Sequence, residues 1–269
     1  MSGPPRLPLP WHATPLARAW TCPPPARSPA AFHALLPDYS PTPLIDVPSL
    51  AAGLGVGRVL VKDESSRLGL PAFKALGASW AVHQLLATGA GDGPPGPHDL
   101  AGLRRLAAAR PGLVLVTATD GNHGRAVARM ARLTGAAARV FVPAFVTGHA
   151  AGAIAAEGAE VVTVPGSYDE AVAAAARWVP SRPGAVLVQD TAWPGYEQVP
   201  GWIVEGYSTL FAELDEQLTR AGAGPPALVV VPVGVGSLAQ AAVAHYRGHG
   251  RGAGTALLAV EPDTAACTL

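Results

Sequence analysis

Lysine is nearly missing from this chain of 269 residues: of its 19 basic side chains only Lys62 and Lys74 are not arginine. Asparagine is scarcer still, with Asn122 alone. Beside 31 glycines and 28 prolines, these shortages read as a codon bias and not as a fold signal. Arginine replaces lysine at most solvated positions, but not where a deprotonated amine is needed, so each surviving lysine invites a reason. Net charge is missing too, 19 basic groups facing 19 acidic ones. That excludes the basic stripe on which phosphate backbones and anionic membranes depend, so neither nucleic acid nor membrane is expected as a partner. Cys22 and Cys267 stand near opposite ends with no CxxC pair, which fits a reducing cytoplasm and gives no cysteine-bound metal. No apolar run is long enough to span a bilayer. The strongest window, 227–244, is broken by Pro232, Gly234 and Gly236 and carries Ser237 and Gln240, which suits strand, glycine loop and helix. The opening MSGPPRLPLPWHATP lacks the uninterrupted apolar segment of a signal peptide and reads as a loose extension.

What is present is alternation. Short β-branched runs at 58–62, 113–118, 138–142, 160–164, 185–188, 227–233 and 256–261 predict strands. Between them, alanine-rich stretches at 72–87, 99–110, 123–134, 149–157, 168–179, 197–220 and 237–247 predict helices. Continuous apolar strands separated by helices imply parallel-rich sheets covered on both faces, an α/β fold. Residues 88–99 read as a Gly/Pro loop and 180–184 as a turn.

Two patterns carry little. GLGVGRVLVK (53–62) superficially resembles a kinase glycine loop, but no HRD or DFG follows, so a helix-to-strand turn is expected, with Lys62 a structural strand-end residue. His245 and His249 are four apart but lack a third ligand, and read as a solvated helix end; no metal site is expected.

Three junctions carry more. PAFKALGAS puts Lys74 in the opening turn of a helix, where desolvation would lower the amine's pKa and make it nucleophilic; a solvated helix lysine fits equally. LVLVTATDGNHGR runs from strand through a tight turn holding Asp120, Gly121 and Asn122 into a helix, fit to approach a flat ligand or to cap the helix. VVVPVGVGSLAQ ends a strand in Gly234, Val235 and Gly236 and opens a helix at Ser237 and Leu238. This is a cradle for the phosphate of a nucleotide or a cofactor.

The three in this order resemble the fold-type II pyridoxal-phosphate enzymes of the tryptophan synthase β-like superfamily. DYSPTPL (38–44), KDESSRLGLPAFKALGAS (62–79), TDGNHGR (119–125), QDTAWPGYEQVPGWIVEGYSTL (189–210) and VEPDTAAC (260–267) are each similar to stretches of the diaminopropionate ammonia-lyases. Other members of the superfamily usually carry Ser or Thr where Asp120 stands, and lack the QDTAW-GYE block.

The resemblance implies pyridoxal 5'-phosphate bound covalently to Lys74, its 3-oxygen on Asn122 and its phosphate in the loop Gly234, Val235, Gly236, Ser237 and Leu238. It makes Asp120 and Asp190 the two acid–base carboxylates, one for each enantiomer of a small amino-acid substrate. The implied reaction is elimination of ammonia from 2,3-diaminopropionate to give pyruvate. The implied architecture is a Pro-rich extension (1–37), a large cofactor-binding domain (38–87 with 195–269, incomplete at its C-terminus), a small domain (88–194) and, by analogy, a homodimer. Two departures stand against this. The glycine loop continues as Ala239, Gln240, Ala241, Ala242 where relatives carry more glycine, and the chain stops at Leu269, before the segment that supplies the pyridine-nitrogen partner. A serine/threonine dehydratase-like lyase and a non-catalytic cofactor-binding module are the competing expectations.

Overall fold

The computed structural model describes residues 12–23, 27–88, 99–248 and 254–267; most of the expected 88–99 loop, His249 and the first eleven residues lie outside these. In chain order, α1 (Ala30–His33), β1 (Leu44–Asp46), α2 (Pro48–Leu54) and β2 (Leu60–Lys62) lead into α3 (Lys74–Ala87). The middle alternates: α4 (Leu100–Ala108), β3 (Val114–Ala118), α5 (Asn122–Thr134), β4 (Ala137–Pro143), α6 (Gly148–Ala155), β5 (Glu160–Val164), α7 (Tyr168–Trp178) and β6 (Ala185–Leu187). The last stretch holds α8 (Gln198–Gly206), α9 (Ser208–Arg220), β7 (Leu228–Pro232), α10 (Ser237–Arg247) and β8 (Ala256–Val260).

All seven expected strands form, and the glycine pattern at 53–57 is the helix-to-strand turn, with Gly55 left-handed at the end of α2 (φ 68°). β1 is additional: three residues between Pro43 and Pro48 give no apolar run, and the strand exists by antiparallel pairing with β2. The helix expected over 197–220 is two. The break falls at Tyr207, next to Gly206, where a β-carbon would come within 2.6 Å of the Leu76 carbonyl oxygen on α3. Gly77 answers from α3, since its β-carbon would lie 2.6 Å from the Tyr207 ring; the two glycines let α3 and α8 touch.

The central sheet is parallel, in the order β5-β4-β3-β6. Its middle strands are apolar on both faces because helices cover both. Val116, Ala118 and Phe141 pack on Ala171 and Ala175 of α7, while Leu115, Val140 and Val142 join Ala126, Val127 and Met130 of α5 in the main core. The chain runs from β3 outward to β5, then returns to place β6 on the other side of β3. Strand order therefore reverses at β3, and crevices at the carboxyl ends of such strands are where ligands sit in open α/β sheets. β7 and β8 form a separate parallel pair joined through α10, with Leu228, Val230 and Val260 half exposed on it.

Two expectations need correction. Phe32, His33 and Leu36, inside the stretch 1–37 expected as an extension, are buried in the core. His245 is not a solvated helix end: it is 8% exposed and stacks on Phe211 at 5.2 Å, because α10 packs that face against α9. Among the described residues no cluster of His, Cys, Asp or Glu is able to hold a metal.

His33 gives the fold a pH limit. Its Nε2–H donates to the Leu76 carbonyl (3.1 Å), so Nδ1 accepts from the Thr209 hydroxyl (2.7 Å) and the ring is neutral. Burial, with help from Arg67, lowers its pKa from 6.5 to about 3. The unfolded chain takes up this proton near pH 6.5 and the folded one only near 3, so stability falls as pH drops through that window. The expected slope is about 1.4 kcal/mol per pH unit. Urea unfolding at pH 5.5 and 4.5 reads it, and the slope is expected to shrink in His33→Gln.

Candidate active site

The carboxyl ends of β3 and β6 adjoin, with Val116 opposite Leu187 and the Val188 amide donating to the Val116 carbonyl at 2.7 Å. The turn after β3 holds Asp120 and Asn122; the segment after β6 holds Gln189 and Asp190. Strand pairing thus brings together two motifs about seventy residues apart in sequence, and the first turn of α3 meets them from outside the sheet.

Lys74 opens α3, and its Nζ donates to Asp190 Oδ2 at 2.5 Å, with the carboxylate nearly buried and the lysine about one-fifth exposed. The expected low amine pKa is overturned. Burial does push it down, but the Tyr207 oxygen and the Asp190 carboxylate push it up harder, so Lys74 stands here as an ammonium. Burial pushes Asp190 up, while the Lys74 ammonium, by charge and hydrogen bond, pulls it down further, leaving it ionised.

His123, also buried, donates Nε2–H to the Val188 carbonyl at 2.7 Å. Burial lowers its pKa, so the ring is neutral and its bare Nδ1, without a hydrogen-bond partner among the described residues, lies 3.7 Å from Asp190 Oδ2. The close pair is therefore not an ion pair, and Lys74 is the cation that faces Asp190.

Gln189 explains why QDTAW-GYE belongs together. Its Oε1 accepts from the Thr117 hydroxyl (3.0 Å) and the Ala118 amide (2.9 Å), tying it to the end of β3. Its Nε2 donates to the Tyr168 hydroxyl (2.9 Å) and to Asp190 Oδ1 (3.3 Å), so the amide orients the carboxylate beside it. The Tyr196 hydroxyl accepts from the Gln189 amide (2.8 Å) and donates to the Leu187 carbonyl (3.0 Å), and its ring stacks on Trp193 at 4.4 Å.

Neither Asp120 nor Asn122 caps α5. The buried Thr119 hydroxyl does so, accepting from the amides of Gly121 (2.9 Å) and Gly124 (3.1 Å). Asp120 and Asn122 remain exposed at the helix mouth. Gly124 must be glycine, because a β-carbon there would fall 2.3 Å from the Thr119 methyl.

The loop Gly234, Val235, Gly236, Ser237 and Leu238 turns into α10 through Gly236, left-handed at φ 90°, with no side-chain cap. Ser237 is buried and Gly234 exposed. The first amides of α10 thus lack an intrahelical partner, and the positive helix end suits an anion. Between this loop and Lys74 lies Tyr207, whose buried hydroxyl is close to Lys74 and Ser237 but makes no hydrogen bond of good geometry among the described residues. Such an orphan costs about 1–3 kcal/mol when nothing satisfies it. Thr119 and His123 are visible in the sequence only as members of the turn, without a role, and Tyr168, Gln189 and Tyr207 carry no signal beyond the position of Gln189 next to Asp190.

The sequence and the fold recur in known proteins. Residues 35–268 match the family described as pyridoxal-phosphate dependent enzyme. The chain is 39% identical over 244 residues to diaminopropionate ammonia-lyase of Salmonella typhimurium, covering 88% of this chain and 59% of that protein. It is 36% identical over 236 residues to the Escherichia coli protein of that name, covering 88% and 58%. The crystal structure of the E. coli enzyme in complex with D-serine superposes with TM-score 0.82 at 36% identity, over 92% of this chain and 63% of that one. The chain thus spans about six-tenths of the length of the curated relatives it matches. With the family match running through every motif that builds the crevice, the chain belongs to the pyridoxal-phosphate dependent enzymes.

Proposed function

We propose that this chain carries the site of a pyridoxal-phosphate-dependent α,β-elimination that converts 2,3-diaminopropionate and water into pyruvate and two molecules of ammonia. The observation that carries it is the meeting of Lys74 with Asp190, at the strand end beside the turn that holds Asp120. The residues fit the cofactor: an amine stands in the crevice, a helix N-terminus without a cap is ready for a phosphate, and a buried hydroxyl between them lacks a partner. When bound, pyridoxal phosphate supplies an electron sink for the carbanion formed at the substrate's α-carbon.

In this reading Lys74 is the covalent anchor, Asn122 binds the 3-oxygen, and the loop Gly234–Leu238 holds the phosphate. Asp190 and Asp120 exchange the α-proton, each for one enantiomer. While the Lys74 ammonium sits on Asp190 that carboxylate is engaged; commitment of the amine elsewhere releases it to accept a proton. The β-ammonium leaves, and water hydrolyses the resulting enamine to pyruvate and the second ammonia. The division into a large lobe (38–87 with 195–269) and a small one (88–194) belongs to the same proposal, supported by the four-stranded sheet lying wholly within the latter. So do a homodimer and a cytoplasmic setting, the latter supported by Cys22 and Cys267 being free thiols.

Borohydride reduction of the cofactor-loaded protein is expected to leave a mass adduct on Lys74, and D- or L-2,3-diaminopropionate to yield ammonia and pyruvate. An adduct elsewhere, or none, overturns the site. Turnover of threonine or serine with diaminopropionate inert gives the reaction to the dehydratase reading, and an adduct without any turnover to the binding-module reading.

A further inference from the structure

Tyr207 occupies the joint between α8 and α9, and its side chain is wholly enclosed. The ring has no freedom: Phe73 meets it edge-on with centroids 5.1 Å apart, and Gly77 leaves just enough room for it on the α3 face. The hydroxyl therefore cannot turn away to find a bond, and among the described residues none of good geometry reaches it, Lys74 and Ser237 lying close but out of line. Native proteins leave few buried hydroxyls unsatisfied, and those that persist commonly await a water, an ion or a ligand. Burial pushes its pKa up to about 12, so it is a neutral donor at working pH; Lys74 and Ser237 are among the groups near enough to influence it. Ser237 opens α10, an eleven-residue helix with no side-chain cap.

We propose that the Tyr207 hydroxyl is a phosphate ligand: it donates to a phosphate oxygen of pyridoxal phosphate seated on the N-terminus of α10, completing from a side chain the cradle that the Gly234–Leu238 backbone begins. The inference rests on the cofactor reading above. It supplies what the glycine-poor continuation Ala239–Ala242 does not, a directed donor beside an otherwise backbone-only site.

Tyr207→Phe removes the oxygen and keeps the ring that packs on Phe73 and Gly77. Wild type and variant are titrated with pyridoxal phosphate and with pyridoxal, which lacks the phosphate, following visible absorbance and melting temperature. Affinity for pyridoxal phosphate is expected to fall roughly tenfold or more in the variant, affinity for pyridoxal to stay the same, and the ligand-free variant to melt no lower than wild type. Equal affinity of both proteins for pyridoxal phosphate overturns the proposal. So does an equal loss for both ligands, which would put the hydroxyl on Lys74 or the ring, and so does a clearly lower melting temperature without ligand, which would mean that the hydroxyl is satisfied inside the protein. If wild type binds pyridoxal but gains nothing from the phosphate, only this inference and the loop assignment fail; if it binds neither, the reading of the whole site fails with them.

Discussion

Replacing Lys74 by arginine is expected to keep the fold and remove the chemistry. The guanidinium retains the positive charge that faces Asp190 at 2.5 Å, so the buried carboxylate keeps a partner and α3 keeps its first turn. It cannot be deprotonated at working pH, so it cannot take the cofactor covalently. Ammonia release from diaminopropionate should fall by at least about 10³-fold, and the borohydride adduct should vanish, while far-UV circular dichroism is unchanged. Retention of more than roughly a tenth of the activity would remove Lys74 from its proposed role as anchor.

Glu213→Gln is expected to act on stability as strongly as Lys74→Arg acts on turnover. Glu213, on α9, binds Arg67 through both oxygens (2.6 and 2.8 Å), Lys62 (2.8 Å) and the Tyr39 hydroxyl (3.0 Å). Arg67 is completely buried and also holds Glu64 through Nε (2.8 Å) and Nη2 (2.6 Å). Two cations thus balance two carboxylates inside the protein. Neutralising Glu213 leaves the set with a surplus positive charge where water cannot reach it, at a cost of about 3–5 kcal/mol. That is a large share of the roughly 5–15 kcal/mol that holds a typical domain together. Urea unfolding at neutral pH measures it, and a loss below about 1 kcal/mol would show the network to be energetically idle.

This network also gives the reason for the other lysine. Lys62 Nζ donates to the Thr42 carbonyl (2.7 Å), Glu213 Oε2 (2.8 Å) and Gln217 Oε1 (2.9 Å), three acceptors for the three N–H bonds of an ammonium. A planar guanidinium does not reproduce that arrangement. Burial pushes the Lys62 pKa down and Glu213 pulls it back only in part.

Seven of the eight described strands were legible because each carries a short apolar run, β1 being the exception, and the three chemical junctions because glycine marks them. What the sequence concealed depends on contacts far along the chain. QVPGWIVEGYSTLFAELDEQL keeps helical apolar spacing throughout, and its break at Tyr207 lies against α3, some 130 residues earlier in the chain. His33 looked like part of a loose extension because Thr209 and Leu76, which hold it, lie 176 and 43 residues away. The motifs of Asp120 and Asp190 were visible singly, but their neighbourhood follows from β6 returning to the side of β3, which no local pattern encodes. The protonation of Lys74 follows from Asp190, 116 residues along the chain, which nothing in the local pattern around the lysine encodes.

Thr119 has one more consequence. Since its hydroxyl, and not the Asp120 carboxylate, satisfies the amides of Gly121 and Gly124, α5 has no stake in what stands at position 120. The scaffold and the proposed reagent are carried by adjacent but separate residues. A lineage built on this turn is free to exchange a carboxylate for a hydroxyl at that one exposed position, and so to try a different reaction, without renegotiating the helix behind it.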